Sequence, residues 1–440
     1  MDILEHPDGQ ALLADAELSA AAVRSCAPQL EALVARYLPL FPRQEHRDHA
    51  RTILQGKLTG LQRKTTEPIA TQAGQERRPL QLFVGAGGWQ DDPVRAELRR
   101  HVAEELADPD GVWVLDGSGF PKKGTQSCGV ARQWCGRLGK VDNCQVGVFL
   151  GHASRRGKAL LDARLYLPKD WAEDTARRAA THVPEGVGFQ EGWRIALDLL
   201  EAASEALPAG WVTGDDEFGR CSELRAHLRR RRRRYLLDVP CNTLVRDPHE
   251  RRPAARPGGP PRLPAFERVD RWVGRQPGGR WRTAKVRDGA KGPLQVQVLL
   301  ATVQTRDEDG CVGPRERLAV FRTVEPKPQT WYTLSNSREA KRAELARVHG
   351  GRHRVEELLA EGKGEAGLGH YEVRSWVGWH HHLTLSLLAL WFLELERLRL
   401  GEKNAGRDGA AGAGGIHGTV AGAGGGGGPD RRGRRPCVAA

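Results

Sequence analysis

The sequence lacks any apolar run long enough to cross a membrane. Its most apolar stretch, "LTLSLLALWFL" at 383–393, is shorter than the roughly 20 residues that a spanning helix needs. The chain also lacks the basic segment and apolar core with which a secretory signal begins. We therefore expect 383–393 to form a buried helix, and the protein to act in the cytoplasm without a membrane partner.

Paired cysteines are lacking as well. The eight cysteines of the 440-residue chain are scattered without C-x-x-C spacing, which predicts reduced thiols in a cytosol and excludes a disulfide framework. Cys128, Cys135 and Cys144 lie closer together, but the gaps of six and eight residues do not match a zinc site. We interpret these three as buried apolar side chains.

Positive charge, in contrast, is in excess. The chain has 68 Lys and Arg residues against 55 Asp and Glu, a formal charge of +13 and a pI of about 9.6. Such a surplus suits a polyanionic partner such as nucleic acid, although it also serves solubility. The length allows two or three domains.

Five segments differ in periodicity and composition. Apolar residues at spacings of three and four predict helices near the start, and alternating β-rich and helical stretches then predict an α/β sheet. The predicted segments are a helical domain at 1–105, the first part of the α/β core at 106–240, a Pro- and Arg-rich loop (246–279) with a mainly β insertion at 241–330, the last part of the core at 331–400, and a disordered Gly-rich tail at 401–440.

Two predicted strands end in an acid. Asp116 closes "VWVLD" before a Gly-rich turn, and Asp215 closes "WVTGD" before a helix. α/β folds place their sites at such strand ends. A structural role would explain these acids too. Asp116 would then hydrogen-bond the backbone of its own turn, and Asp215, Asp216 or Glu217 would cap the N-terminus of the helix. Two carboxylates on adjacent strands also match the oxygen ligands that Mg²⁺ prefers.

A third acid comes from the stretch "HGGRHRVEELLAEGKGE", which we predict to be helical. At about 100° per residue, Arg352, Glu356 and Lys363 fall within roughly 40° beside an apolar arc. The other glutamates are predicted to point to solvent: Glu357, Glu361 and Glu365. A surface ion pair between Arg352 and Glu356, worth a few tenths of a kcal/mol, would explain the spacing equally well.

With these motifs the chain resembles the DDE transposases of bacterial insertion sequences, from about Lys64 to Phe392. "VWVLDGSGFPKKGTQSCGVARQWCGRLGKVDNCQVGVFL" is similar to the first-Asp block of one branch, and "LYLPKDWAED", "WVTGDDEFGR" and "YTLSNS" follow in family order. The third family block has Tyr, two residues, Arg, three residues, Glu, six residues and Lys. In this chain Arg352, Glu356 and Lys363 match it, whereas His349 stands at the Tyr position.

The resemblance implies an α/β fold with an RNase H-like mixed sheet, flanking helices, a mainly β insertion before the last catalytic helix, and an N-terminal helical domain that binds DNA ends. It implies that Asp116, Asp215 and Glu356 form a catalytic triad that binds two Mg²⁺ ions, for which Mn²⁺ can substitute. Asp216 stays open as an alternative to Asp215. His349, Arg352 and Lys363 are implied to contact DNA phosphates.

Other basic residues near these acids are candidates for DNA contact: Lys122, Lys123, Arg229 and Arg230. The last two begin a run of six arginines at the end of a predicted helix, where cations also suit the helix C-terminus or a solvated face. Tyr371 and Arg374 repeat the family's Tyr–Arg spacing, but Gly378 stands where the acid is required. We therefore predict that "GLGHYEVRSWVGWHHH" forms a helix packed on the sheet.

The predicted function is that of a transposase that binds terminal inverted repeats, cleaves DNA with Mg²⁺ and joins the ends to a target. The resemblance implies a homodimer in the synaptic complex, on nucleoid DNA. Two alternatives remain. One is a transposase-derived DNA-binding protein without cleavage activity, because His349 departs from the family signature. The other is an RNase H-like nuclease that cuts branched or hairpin DNA.

Overall fold

The computed structural model describes residues 14, 19–250, 263–289, 292–307 and 309–401, without the side chains of 288, 289 and 292. The predicted Gly-rich tail, from residue 402 onward, lies outside the described residues. So does part of the predicted Pro- and Arg-rich loop, at 251–262.

The α-helices of the described residues are α1 (Ala20–Arg24), α2 (Cys26–Tyr37), α3 (Gln44–Lys57), α4 (Thr66–Gln72), α5 (Arg77–Ala86), α6 (Asp91–Leu106), α7 (Lys169–Glu173), α8 (Thr175–Ala180), α9 (Gly192–Ser204), α10 (Asp216–Gly219), α11 (Ser222–Arg230), α12 (Val269–Gly274), α13 (Arg342–Gly364) and α14 (Trp376–Gly401). The β-strands are β1 (Val112–Pro121), β2 (Ala131–Cys135), β3 (Lys140–Ala153), β4 (Lys158–Leu165), β5 (Trp211–Gly214), β6 (Tyr235–Val239), β7 (Leu244–Arg246), β8 (Glu267–Arg268), β9 (Arg282–Gly289), β10 (Gly292–Arg306), β11 (Val312–Thr323) and β12 (Thr330–Ser335).

The chain divides into two compact units. Of the described residues, the first unit comprises those up to Ala107, Gly117–Pro208 and those from Val355 onward, and the second comprises those within 108–116 and 209–354. The domain boundaries expected from composition stay predictions.

The first unit begins with helices α1 to α6, which match the helical periodicity of this part of the sequence. Pro68, Pro79 and Pro93 each lie in the first turn of a helix, where the missing N–H breaks no helical hydrogen bond. The prolines thus set where these short helices begin. DNA-end binding by this helical block stays a prediction.

Helix α14 is buried over most of its length in the first unit. The stretch 383–393 lies inside it and is buried, as predicted. Its His381 ring stacks on Trp89 at 3.8 Å between centroids, and Trp89 in turn contacts Phe41 and Phe83. No helix in the described part of the chain is long and apolar enough to cross a membrane.

Strands β2 and β4 both pair with β3 in antiparallel fashion in the first unit. Helix α6 is held to β4 by a buried charge cluster, in which Arg95 and Arg99 donate to opposite carboxylate oxygens of Asp162. Buried charges are costly unless they are paired. Asp91 and Asp92 also pair with Arg95, so three carboxylates face the two arginines.

The second unit contains a sheet in which β1, β5 and β6 are parallel. On the far side of β6 the strands β12, β11 and β10 follow in antiparallel order. Strand β10 also pairs with β7 and β9, and β7 pairs with β8. Parallel and antiparallel pairs with flanking helices confirm the predicted mixed α/β class, consistent with an RNase H-like fold.

The predicted loop at 246–279 is wrong for its described C-terminal part. Residues 267–274 form β8 and α12, and Trp272 of α12 is 1% exposed in a core that it shares with Val245, Leu299 and Leu318. Although the segment is rich in Pro, Gly and Arg, burial of the large apolar side chain of Trp272 stabilises its packing on the core.

Candidate active site

Three aspartates lie side by side where the parallel pairing of three neighbouring strands ends. β1 pairs with β5, and β5 with β6, in register up to the residue before each aspartate. Asp116, Asp215 and Asp238 therefore occupy one row and point to the same face of the sheet. Since neighbouring strands lie about 4.8 Å apart, the row is about 10 Å wide.

Asp116 reaches this row because an apolar strand carries it there. Every residue from Val112 to Asp116 is buried, and Asp116 is 6% exposed. The prediction that this strand ends at Asp116 before a Gly-rich turn is wrong, because β1 continues to Pro121; what ends at Leu115 is its pairing with β5. A carboxylate at this point is largely withdrawn from bulk water.

Asp215 is both a strand end and a helix cap. It is 8% exposed, and its Oδ1 accepts a hydrogen bond of 3.1 Å from the Glu217 backbone at the start of α10. A carboxylate has further lone pairs, so capping does not exhaust it. The Asp216 side chain is 51% exposed and lies 3.9 Å from Arg220. The position of Asp215 in the row favours it over Asp216.

Asp238 is not among the residues predicted from the sequence, although "YLLDV" carries an acid after an apolar run much as "VWVLD" and "WVTGD" do. It is 5% exposed and forms an ion pair through Oδ2 with Arg352 of α13, which is 7% exposed. Its Oδ1 has no hydrogen-bond partner among the described residues. The pair neutralises two buried charges, which would be costly apart.

His349, one turn before Arg352, is 3% exposed. Its ring stacks on Phe321 with 4.3 Å between centroids and 1° between planes, and its Nδ1 lies 4.0 Å from Asp238 Oδ1. Phosphate contact by His349 and Arg352 stays a prediction. For Arg352 it requires a phosphate to replace the Asp238 carboxylate.

Glu356 follows Arg352 by four residues on α13, so it lies one turn further along the same helix face. It is half-buried. Lys363 lies two turns beyond Glu356, with its Nζ 5.5 Å from the centroid of the Phe120 ring. Helix α13 thus keeps the predicted alignment of the three signature residues.

Two neighbouring glutamates contact Lys158 of β4, whose side chain is 6% exposed. Its Nζ lies 2.8 Å from Glu361 and 3.6 Å from Glu357. Burial raises the pKa of Glu361, and Lys158 opposes that rise. Glu357 is 48% exposed, as predicted, but the prediction that Glu361 points to solvent is wrong. The helical spacing of residues within α13 does not show the contact with Lys158, which lies about 200 residues earlier in the chain.

Comparison with known families assigns the chain. The model of the DDE superfamily endonucleases matches residues 36–293, more than half of the chain. The chain belongs to this family. The match includes all three aspartates of the row and ends before α13, so it does not reach Glu356.

The chain is also similar to the "Probable transposase for insertion sequence element IS701" of Microchaete diplosiphon. It is 30% identical over 121 residues, which are 26% of this chain and 32% of that protein. The match therefore spans about a third of the relative's length.

DDE superfamily endonucleases generally use divalent metal ions. Among the described residues, no group of three or more His, Cys, Asp or Glu side chains is arranged to hold a metal ion. Asp116 and Asp215 nevertheless fit such an ion by chemistry, because two carboxylates at neighbouring register positions supply the oxygen ligands that Mg²⁺ prefers.

Lys122, a predicted DNA contact, is engaged inside the first unit of this DDE endonuclease. Its Nζ lies 3.3 Å from the centroid of the Tyr371 ring and donates to the Tyr371 carbonyl at 3.2 Å. Burial lowers the pKa of Lys122 to about 8. Its neighbour Lys123 is exposed, so it is the better placed of the two to meet a phosphate.

Tyr371 and Arg374 belong to an irregular segment. The Tyr371 hydroxyl donates to Gln145 at 2.8 Å, and the Arg374 carbonyl accepts from Cys128 at 2.8 Å. Helix α14 begins only at Trp376, so the predicted helix is wrong for the residues before it. The segment docks onto the core through hydrogen bonds instead.

The arginine run lies at the start of β6, whereas Asp238 lies near its end. Arg229 donates to the Tyr235 hydroxyl at 2.8 Å and pairs with the fully buried Glu316 at 3.2 Å. Arg230 is exposed. DNA contact by Arg229 and Arg230 stays a prediction. Both residues precede β6, whereas Asp238 lies near the other end of this strand.

Proposed function

We propose that this DDE endonuclease is an insertion-sequence transposase that binds terminal inverted repeats, cleaves the DNA strand and transfers the ends to a target. The observation that carries this proposal is that Asp116 and Asp215 directly follow the last paired residues of two adjacent parallel strands, Leu115 and Gly214. Family membership and the printed name of the relative support it.

In the proposed mechanism Asp116, Asp215 and Glu356 would hold two divalent ions, Mg²⁺ or Mn²⁺. When bound, such ions activate a water or 3′-hydroxyl and stabilise the leaving oxygen of a phosphodiester. Burial of Asp116 and Asp215 strengthens their attraction for cations, because little water screens it.

Basic residues of the chain are proposed to offset negative charge near these acids and on the bound DNA. The ion pair with Arg352 removes the net charge of Asp238 from the row, so the other two carboxylates face less repulsion. Lys363 and the exposed Lys123 are proposed to contact phosphates of the bound DNA. Two copies are proposed to meet in a synaptic complex on nucleoid DNA, each cutting one end.

One observation favours a second candidate, a DNA-binding protein that does not cleave. Arg352 is occupied by Asp238, and His349 replaces a tyrosine and is buried in an aromatic stack. If Arg352 stays paired with Asp238 and His349 stays stacked on Phe321 in the DNA complex, neither residue can contact the phosphate that the signature assigns to it.

The test incubates purified protein with a duplex that carries the terminal repeat of its own element, with and without Mg²⁺. We expect the wild type to cut at the repeat, Asp116→Asn to bind without cutting, and the matched control Asp216→Asn to cut. Binding without cutting by the wild type, in Mg²⁺ and in Mn²⁺, would establish the second candidate. Cutting only of branched or hairpin DNA would point to a structure-specific nuclease.

A further inference from the structure

Exposed cations are dense in the second unit just before β6 and just after β12. We call this group the basic end and define it as Arg230, Arg231, Arg232, Arg338, Lys341 and Arg342, all of which are exposed. The first three lie where α11 meets β6, and the other three between β12 and the first turn of α13. One exposed carboxylate, Glu339, lies within these two segments.

Hydrogen bonds hold the two segments side by side. The amide of Asn336, just after β12, donates to the Arg233 carbonyl at 2.8 Å, and its oxygen accepts from the Tyr235 backbone at 3.0 Å. The Arg317 guanidinium donates to the Arg338 carbonyl. The arginine run and the start of α13 therefore form one surface.

Two partly buried arginines, Arg234 and Arg317, lie beside the exposed cations of the basic end. Arg234 pairs with Glu344 at 2.9 Å and lies over the Trp211 ring at 4.7 Å. Burial, and after it the charge of Arg342, lower the pKa of Arg317. Crowded cations of this kind destabilise one another, and an anion would relieve the repulsion.

The basic end lies far from the aspartate row. Ten residues of α13 separate Arg342 from Arg352, which is a rise of about 15 Å. Four residues separate Trp211 from Asp215, which is about 13 Å of extended chain. The strands therefore carry acids at one end and cations at the other.

We propose that the basic end binds the phosphate backbone of a second stretch of double-stranded DNA, apart from the stretch that is cut. The choice of DNA as the polyanion rests on the proposed function. Exposed arginines that contact phosphates position a duplex without reading its bases. Binding at this surface is therefore independent of sequence and is weakened by salt.

The experiment measures two duplexes separately, without divalent ions, so that no strand is cut. Full-length protein is first saturated with a terminal-repeat duplex, and a labelled duplex of unrelated sequence is then titrated at several salt concentrations. The variant Arg230→Gln/Arg342→Gln removes two cations of the basic end. The matched control, Arg271→Gln/Lys327→Gln, removes two exposed cations elsewhere in the same unit.

We expect the basic-end variant to bind the unrelated duplex several-fold more weakly, with the slope of log K against log salt reduced by about 1.8, since each lost phosphate contact removes about 0.9. Its affinity for the terminal repeat should stay unchanged, and the control should match the wild type for both duplexes. Unchanged binding of the unrelated duplex would overturn the inference, as would equal weakening for both duplexes. Stronger competition by RNA than by duplex DNA would overturn the choice of partner.

Cleavage of terminal-repeat DNA in Mg²⁺ by the same proteins keeps the two proposals apart. Normal cleavage together with unaltered binding of the unrelated duplex would remove this inference and leave the transposase proposal standing. If the wild type never cleaves, but Arg230→Gln/Arg342→Gln binds the unrelated duplex more weakly than the wild type does, this inference stands and the transposase proposal is removed.

Discussion

The guanidinium of Arg352 is ion-paired with Asp238, and Asp238 lies in register with Asp215 on the neighbouring parallel strand. The arginine that the family signature assigns to DNA phosphate thus already holds a carboxylate. This contact ties α13 to the sheet of the second unit close to the candidate metal ligands.

Loss of the Asp238 charge should destabilise the protein. Asp238→Asn leaves the buried Arg352 without its counter-ion, and we expect the free energy of unfolding to fall by about 3 kcal/mol. Urea denaturation measures this. The double variant Asp238→Asn/Arg352→Gln removes both charges and should recover part of the loss. Equal losses in the single and double variants would show that the ion pair is not the source.

Magnesium should stabilise the folded protein through Asp116. At ten times the dissociation constant, a ligand that binds only the folded state adds about 1.4 kcal/mol. We expect Mg²⁺ to raise the melting temperature of the wild type and of Asp216→Asn, but not of Asp116→Asn. A rise that persists in Asp116→Asn would remove this residue from the metal site, whatever the cleavage assay shows.

Glu356 and Glu361 should separate chemistry from stability. Glu356→Gln is expected to abolish cleavage with little change in the urea midpoint. Glu361→Gln should lower the midpoint, because it weakens the ion pair of the buried Lys158, while the folded fraction still cleaves. Cleavage that survives in Glu356→Gln but is lost in Glu361→Gln would reverse the assignment.

Gly219 should not tolerate a side chain. A Cβ at this position would lie 1.7 Å from the Asp238 carbonyl oxygen, so α10, which follows Asp215, would have to move. We expect Gly219→Ala to cost about 1–3 kcal/mol of stability and to reduce cleavage. Gly274→Ala is the control, since nothing lies within 4 Å of its added Cβ. Equal stability of the two variants, measured by thermal unfolding, would contradict the close packing.

Stability should rise above neutral pH because of Lys57. Burial lowers the pKa of Lys57 from 10.5 to about 7, although its Nζ donates to Ser386 at 2.9 Å. Between these values the unfolded chain holds a proton that the folded chain lacks, so raising the pH favours folding by up to about 1.4 kcal/mol per unit.

Lys57→Met should therefore gain less stability than the wild type between pH 7 and pH 9, as measured by denaturation at both values. The neighbouring Lys64, whose pKa burial lowers to about 8, keeps its own contribution in both proteins. Equal gains would mean that Lys57 does not titrate in this window.

The sequence predicts the candidate residues that depend on local pattern, and their roles stay predictions. Apolar runs that end in an acid point to Asp116 and Asp215, although β1 continues past Asp116, and the spacing from Arg352 and Lys363 points to Glu356. Asp238 follows the same pattern, yet "YLLDV" taken alone does not show that its strand lies next to β5. The buried helix α12 was hidden by its composition, because what holds it is the packing of Trp272 against residues far along the chain.

What the sequence by itself determined is thus the mixed α/β class and the helical alignment on α13, since each depends on neighbours within about ten residues. Only the tertiary structure decided that three aspartates form one row and that Arg352 is ion-paired with Asp238. It also decided that the arginine run lies at the opposite end of β6 from that row. Those relationships arise from strand order, register and helix packing. They join residues as far apart as Asp238 and Arg352, whose pairing no local periodicity encodes.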